Sequence, residues 1–450
     1  GDRPLRIIVA GAGIAGLTAT HYLQRLGIDH VVLEKYADVA PPTGGAISMW
    51  PHGMRILSQI GCLDAIKRAS LPYTRIFNRA PDGSLMQDSS LLHIVEENHG
   101  IGTYPMERRE FLQILYDALP DKSFVVTEAE ITDVIEFPDR VEVHLADGTV
   151  QTGDMVLGCD GVHSLIRSIM WDHAGKKSPG LIKDEEKTSI ETRYKTLLVN
   201  APAFPELGQS NLVISHGKGI CFITVSQPDA TYVFAIFTLE QPFTVPVRQS
   251  YTTKDAEELA QLISDKPVTN NVVFSDIWER RTRASVISLE EGVMEHWHHD
   301  RICLVGDAVH KIQPNLALGG NAAMEGAASV INNIQGVLQT CRGPRPSGTS
   351  LSTAFSAYQK QQYPRMKELV NLCAMVAKVH TYATPWHRAL SDWLLPLLGD
   401  KILPGLLSTF IAGAPKMDFF PAADLPDGKV AWVHHETHKT NGDQLQKNAL

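Results

Sequence analysis

The sequence predicts an α/β fold: a parallel sheet alternating with helices at the start, a mostly antiparallel sheet interleaved in the middle, and a helical C-terminal region. Three observations carry this prediction. An apolar run, "LRIIVA" (Leu5 to Ala10), leads through glycines into a helical pattern and then into a second apolar run, "HVVLEK" (His30 to Lys35), the order of a βαβ unit. Between about Thr192 and Leu239, "YKTLLVNA", "ICFITVS" and "TYVFAIFTL" follow one another with turn residues between them, as sequential antiparallel strands do. From Asn321 to about Ile411 the pattern is mainly helical.

In chain order, the first helix places Ala15, Ala19, Tyr22, Leu23 and Leu26 on one face, and Gly27 stops it. "RVEVHLADGTVQTGDMVLGCDG" (Arg140 to Gly161) alternates apolar and polar residues up to an Asp147-Gly148 turn and then turns apolar, a hairpin that feeds back into a core strand. "RICLVGD" (Arg301 to Asp307) is another buried strand, followed after a Pro/Gly-rich turn by the helix "NAAMEGAASVINNI". "RGPRPSGTS" is a surface loop, and the last thirty or so residues read as a polar, loosely held tail. The parallel-sheet domain is expected in three pieces, 1–75, 106–175 and 291–340. The antiparallel domain takes 76–105 and 176–290, and 341–450 form the C-terminal helices and tail.

With 450 residues, 44% hydrophobic and 20% charged, the chain can bury a large core. A formal charge of −9 without a Lys/Arg cluster argues against a nucleic-acid surface. The six cysteines lie far apart with no CxxC, which suits reduced thiols and neither a disulfide framework nor a thiolate metal site; no metal is expected. The first strand starts within five residues of Gly1, leaving no room for a secretory signal. "DWLLPLLGDKILPGLLSTFIAGAP" (Asp392 to Pro415) is interrupted by Pro396, Asp400, Lys401 and Pro404 before it reaches a spanning length. It fits packed helices, or a surface that touches a membrane or a greasy substrate. A cytoplasmic protein with weak membrane contact there is the expected setting.

Gly11, Gly13 and Gly16 form GxGxxG directly after the first strand, with Ala15 in the helix start. The first two glycines permit a tight turn and close approach of a pyrophosphate, and the third lets helix and strand pack. Unpaired N–H groups at the helix N-terminus complete an anion site. Glu34, followed by Lys35, stands where an acid can bond ribose hydroxyls, so NAD or FAD fits and NADP fits poorly. The motif alone does not separate those two.

Later segments do. "DMVLGCDGVHSLIR" carries Asp154, Gly158, Asp160, Gly161, Ser164 and Arg167 in the pattern DxxxGxDGxxSxxR. "GDAVHKIQPNLALGGNAAMEGA" carries Gly306, Asp307, His310, Pro314, Gly319, Gly320, Asn321 and Glu325. Three such motifs in this order resemble the single-component FAD-dependent aromatic hydroxylases, the group A flavoprotein monooxygenases, over roughly Leu5 to Arg365. "MERREFLQILYDALP", "ETRYKTLLV" and "YQKQQYPRMKELV" resemble the fungal meroterpenoid and indole-diterpene (paxilline-type) members.

The resemblance implies a Rossmann-like FAD-binding domain with an interleaved substrate sheet. The Gly-rich loop and Glu34 would hold the ADP half of FAD, and Gly45 and Ala46 would pass near the flavin. Arg109 would reach the cofactor, and Asp160 and Arg167 would serve both FAD and the reductant, NADPH or NADH. Asp307 would bond the ribityl chain, with Pro314, Gly319, Gly320 and Asn321 lining the isoalloxazine. Arg193, Tyr194 and Tyr232 of the middle sheet would meet the substrate, a hydrophobic small molecule. The implied chemistry is reduction of FAD, capture of dioxygen as a C4a-hydroperoxide, and hydroxylation or epoxidation. The chain departs from the family at Ala317, where a glycine is usual, and at Gly326, where an aspartate is commoner. No W-x-W-x-I-P stretch of a flavin halogenase occurs among the seven tryptophans. An FAD oxidase, a non-redox isomerase and a non-catalytic flavin-binding sensor stay open as alternatives.

Overall fold

Ile7, Ile8 and Val9 carry no polar group to place in water, and all three are fully buried in the strand Arg6–Ala10. A strand that is apolar on both faces belongs at the centre of a parallel sheet, and Arg6–Ala10 is central in the computed structural model of the chain, which describes residues 3–341, 343–421 and 423–434. It pairs in parallel with Asp29–Leu33 on one side (Ile8 opposite Val31) and with Met155–Gly158 on the other (Ile8 opposite Val156). Ile302–Leu304 and Val125–Val126 extend this sheet in parallel, and His298–His299 closes one edge antiparallel. The helix Ile14–Leu26 makes the first crossover and ends at Gly27, whose φ of 68° is the left-handed conformation glycine adopts without a Cβ penalty.

The second sheet has eight strands among the described residues. Glu191–Pro202, Ala230–Thr244, Ile220–Ser226 and Arg283–Val293 form its antiparallel centre, and Arg75–Arg79 and Leu85–Ser89 extend it through Asn211–Ser215. One face packs Leu197, Val199, Phe222, Val233 and Phe237 under the short helices Thr253–Leu262 and Phe274–Glu279. The other face looks toward the helix Gly348–His380. The Asp147-Gly148 hairpin joins Val141–Leu145 to Val150–Gly153 and leads into the core strand Met155–Gly158. All six cysteines are free thiols.

Two features differ from the sequence reading. The charges and prolines within Asp392–Pro415 do not interrupt the helix, because Pro385–Ala389, Leu390–Leu394 and Leu395–Ala412 run on as one rod. Asp400 is turned inward, accepting bonds from Ser89 Oγ and, at 2.7 Å, Ser90 N. The first part of the expected loose tail is packed: Lys429 N and Val430 N donate to Glu97 and Asn98 carbonyls at 3.0 and 2.9 Å. Residues 435–450 lie outside the described residues.

Candidate active site

A cavity of about 710 Å³ extends from the glycine-rich loop to the helix-facing side of the eight-stranded sheet. Its first end is made largely of main chain. A Cβ on Gly16 would stand 1.9 Å from the Gly11 carbonyl oxygen, and one on Gly11, where φ is +96°, would stand 2.5 Å from that of Cys159. These two glycines are therefore required by the strand–helix contact itself. Gly13 is different, since a Cβ there meets nothing within 4 Å and the residue faces the cavity. Space that the protein's own packing does not use is what close approach of a pyrophosphate needs.

Two helices begin at this end, Ile14–Leu26 and Gly319–Thr340, and among the described residues no side chain caps either one. Ile14, Ala15, Gly319 and Gly320 all line the cavity, so both positive dipole ends are turned to one place, where an anionic group is stabilised. Asp307, Lys311 and Arg108 line it as well. Lys311 Nζ lies 2.7 Å from Asp307 Oδ2. Burial would raise the Asp307 carboxyl, but Lys311, His310 and Arg108 together hold it below its ordinary value. Burial lowers the Arg108 guanidinium, and Asp307 and Glu34 oppose that shift from either side. Glu34 accepts from Ala12 N at 2.9 Å and Tyr36 N at 3.0 Å, which fixes its carboxylate beside the loop.

The far end is made of side chains. Leu198, Phe234 and Ile223 stand side by side on the sheet, Leu198 opposite Phe234 and Phe234 opposite Ile223. Met375 and Val379 of the long helix and Leu395 and Leu403 of the C-terminal rod close the chamber over them. Gly45 sits at the junction, where a Cβ would come within 2.9 Å of Phe234 and 3.0 Å of Leu198.

The cavity gathers Gly13, Ala15, Gly45, Ala46, Asp307, Pro314, Gly319 and Gly320. Other expected residues stand elsewhere. Arg109 is half-exposed, with Nε on the Ala40 carbonyl at 3.1 Å, and its neighbour Arg108 takes the cavity-facing position. Consecutive residues point about 100° apart on a helix, and the sequence alone did not distinguish these two arginines. Lys35 stacks over Tyr36. Asp160 caps the helix Leu165–Lys177, accepting from Ser164 Oγ at 2.5 Å and Ile166 N at 3.0 Å. Arg167 is buried and donates to the Ala308 and Val162 carbonyls at 2.7 and 2.8 Å, so it braces the turn that carries Asp307. Asn321 works from behind the wall: it accepts from Trp50 N at 2.9 Å and donates to the Ser48 and Ala317 carbonyls at 2.9 and 3.1 Å.

The three residues expected to meet substrate all lie outside the cavity wall. Arg193 occupies a bulge between Thr192 and Tyr194 that turns it to solvent, where it pairs with Glu191 at 2.9 Å and Glu291 at 3.8 Å. Tyr194 is packed among Cys221, Ile236, Leu289 and Ala377. Tyr232 is buried near Glu107, Glu110 and Asp229. Tyr232 lies two residues before Phe234 and Tyr194 four before Leu198, on the chamber's face of the sheet, but at their level the wall is made by their cross-strand neighbours Val225 and Leu289. Strand alternation gives a face; only the fold decides which residue on it meets the cavity.

A family profile described as FAD binding domain matches residues 5–353. FAD-dependent monooxygenase DEP2 of Alternaria brassicicola is 37% identical over 423 residues, 93% of this chain and 80% of that protein. FAD-dependent monooxygenase penE of Penicillium thymicola is 31% identical over 448 residues, 99% of this chain and 93% of its own. This chain belongs to the FAD-dependent monooxygenases. The crystal structure of Klebsiella pneumoniae HpxO with FAD and uric acid shares the monooxygenase's fold, with a TM-score of 0.69 at 22% identity over 91% of this chain and 97% of that one. FAD is the cofactor, and the open Gly13 cradle, the paired helix N-termini and the Arg108–Asp307–Lys311 cluster fit it.

Proposed function

We propose that this monooxygenase uses NADH or NADPH and dioxygen to hydroxylate or epoxidise a hydrophobic natural-product intermediate. A prenylated aromatic, a meroterpenoid or an indole terpenoid of fungal secondary metabolism is the substrate class. One observation carries the reading: a single cavity joins a main-chain anion cradle to an aliphatic chamber, so an anionic cofactor and a greasy substrate share one enclosed space. When bound, FAD supplies the redox chemistry with the nicotinamide and dioxygen.

The residues of the chain do the rest. Gly13 and the first turn with Ala15 would receive the diphosphate, with Gly11 and Gly16 shaping the loop that presents them; Arg108 would add a cation there, and Glu34 and Asp307 would accept from hydroxyls of the cofactor. Gly45, Ala46 and Pro314 to Gly320 form the passage to the chamber. Trp50 Nε1 holds the Leu316 carbonyl at 2.9 Å and Asn321 holds that of Ala317, so the passage loop is fixed from behind. Leu198, Ile223, Phe234 and the helix above them exclude water and orient the substrate.

The test begins with the visible spectrum of the purified protein, followed by NADH and NADPH consumption against prenylated aromatics, indoles and terpenoid olefins. Substrate-stimulated oxidation, with one atom of labelled dioxygen in the product, is expected. Bound FAD that reacts with neither reductant nor substrate overturns the reading.

The apolar rod also supports weak membrane contact. The helix Pro385–Ala412 has mean hydropathy 1.4 over its most apolar window, of which only 28% is buried, and Trp386 and Trp393 are 67% and 73% exposed. Tryptophan suits the membrane–water boundary. Co-sedimentation with phosphatidylcholine vesicles, lost in the Trp386→Ser, Trp393→Ser double variant, is the expected result.

A further inference from the structure

The aliphatic chamber contains a short polar seam where the end of the helix Gly348–His380 meets the loop at Pro314–Leu316. His380 and Asn315 both line the cavity there, and both are deeply buried, with His380 5% and Asn315 3% exposed. His380 Nδ1 lies 3.0 Å from Asn315 Nδ2. An amide nitrogen only donates, so Nδ1 accepts and the ring carries its proton on Nε2. Among the described residues the oxygen of the same Asn315 side chain has no partner. The reverse amide orientation would strand two N–H groups in place of one carbonyl oxygen, and orphaned N–H groups are the rarer defect.

The ring is held on its other sides too. His216 packs edge-on at 4.8 Å between centroids, itself fixed by Asn78 at 2.9 Å and Ser391 at 2.8 Å, and the His380 carbonyl accepts from Gly217 N at 3.1 Å. Nε2 alone is left: it bonds no protein atom among the described residues and is not occluded by them. Burial and the neighbouring His216 hold the His380 pKa well below the usual histidine range, so the ring is uncharged near neutrality.

We infer that His380 is a specificity-determining donor, whose Nε2–H gives one hydrogen bond to an uncharged oxygen (carbonyl, ether or hydroxyl) of an otherwise apolar substrate. Asn315 is its positioning residue, because it fixes which ring nitrogen carries the proton. The inference rests on the reading of the chamber as the substrate site and names what that substrate must present. A hydrocarbon of the same shape would leave Nε2–H buried and unpaired, which is expected to weaken binding about tenfold.

The test is a titration of FAD-loaded protein with two matched probes, androstan-17-one and androstane, both carried in cyclodextrin and read by flavin fluorescence. Wild type is expected to bind the ketone about tenfold more tightly than the hydrocarbon. His380→Phe is expected to bring that ratio close to one, and His380→Gln, which keeps a donor, to preserve most of it. Equal affinities in wild type, or an unchanged ratio in His380→Phe, overturn the inference while leaving the chamber reading intact. A flavin signal that responds to neither probe overturns the chamber reading and the inference with it. Histidine ¹⁵N shifts of wild-type protein give a check independent of any variant's folding: an Nδ1–H tautomer at His380 overturns the assignment. Asn315→Leu releases that tautomer, and a ketone-to-hydrocarbon ratio below wild type is the expected sign of positioning; a ratio equal to wild type overturns the part given to Asn315.

Discussion

The two ends of the cavity are built from different parts of the amino acid. The cofactor end is main chain: glycines that allow contact, and N–H groups at two helix starts. The chamber is side chain, contributed by strands, the long helix and the C-terminal rod that are hundreds of residues apart in sequence. A backbone site demands particular residues at fixed spacings, because only glycine fits; an aliphatic wall demands only bulk, which many residues supply. The first end is therefore specified by a few short local motifs, and the second only by the assembled fold.

The sharpest way to test this contrast lies within the glycine loop. Gly16→Ala would drive a methyl into the Gly11 carbonyl, 1.9 Å away, and forced overpacking of this kind costs about 1–3 kcal/mol or more. With strand and helix pushed apart at the sheet's centre, we expect loss of soluble protein or a fall in Tm of many degrees. Gly13→Ala adds the same methyl to open space, so the fold should melt within a degree or two of wild type while retained FAD drops sharply. Equal behaviour of the two variants, by calorimetry and by the flavin-to-protein absorbance ratio, breaks the distinction between a structural and a ligand-facing glycine.

That contrast also explains what was legible beforehand. The βαβ start, the antiparallel middle and the helical end could be read because hydrophobic period reports local geometry. Gly13, Asp307 and Gly320, which the fold brings to one cavity, stand out in the sequence because their motifs are local. Arg193 is turned to solvent by a bulge, and Tyr194 and Tyr232 are packed while their cross-strand neighbours Leu289 and Val225 line the cavity, and neither leaves a mark in the alternation. Arg108 and Arg109 are alike in the sequence, and only the fold turns Arg108 to the cavity. His380 carries no motif at all; it becomes visible only when the long helix brings it to Asn315, 65 residues away.

An effect of comparable size is expected at the joint between the two ends. Glu325, fully buried on the cofactor-side helix, is paired with Arg365 of the long helix at 2.5 Å, and Arg365 also donates to the Phe410 carbonyl of the C-terminal rod at 2.6 Å. Burial raises the Glu325 carboxyl and Arg365 opposes the rise. Arg365→Ala leaves that buried carboxylate with only His52 Nε2, 3.7 Å away, beside it, at a cost of about 3–5 kcal/mol. Urea unfolding should show it, and Glu325→Gln in the same background should recover part of the loss. A cost below about 1 kcal/mol would mean that the two ends are joined elsewhere.

A smaller effect is expected in the passage loop. Ala317 sits at φ 51° and ψ 41°, a left-handed conformation that costs a residue with a Cβ about 1–2 kcal/mol. Ala317→Gly relieves that strain and gives back about 0.5–1 kcal/mol as chain entropy, so the net change should lie between about zero and 1.5 kcal/mol of stabilisation. Thermal unfolding checks it. A fall in stability like that of an ordinary Ala→Gly change would show that the methyl makes contacts worth more than the strain.

The smallest effect on stability is expected at the Asp307–Lys311 pair, and there pH gives the sign. Asp307 is held below its ordinary 3.8, so its contribution is full above that value and is lost as pH falls through the lower, folded value. Lys311 is held above its ordinary 10.5, Asp307 overcoming the effect of burial, so its contribution is full below 10.5 and is lost as pH rises beyond it. Between these limits the pair contributes a constant amount, within the roughly 0–1 kcal/mol of a partly exposed ion pair. Lys311→Met removes the main force that lowers the Asp307 carboxyl and leaves burial to raise it, so the carboxylate should begin to protonate at higher pH than in wild type. Since Asp307 is proposed to accept from a cofactor hydroxyl in either background, FAD retention should decline at higher pH on acid titration in the variant, with little change in Tm at pH 7. Superimposable retention profiles would show that Lys311 does not set the charge of Asp307, and that the cofactor end relies on its main chain alone.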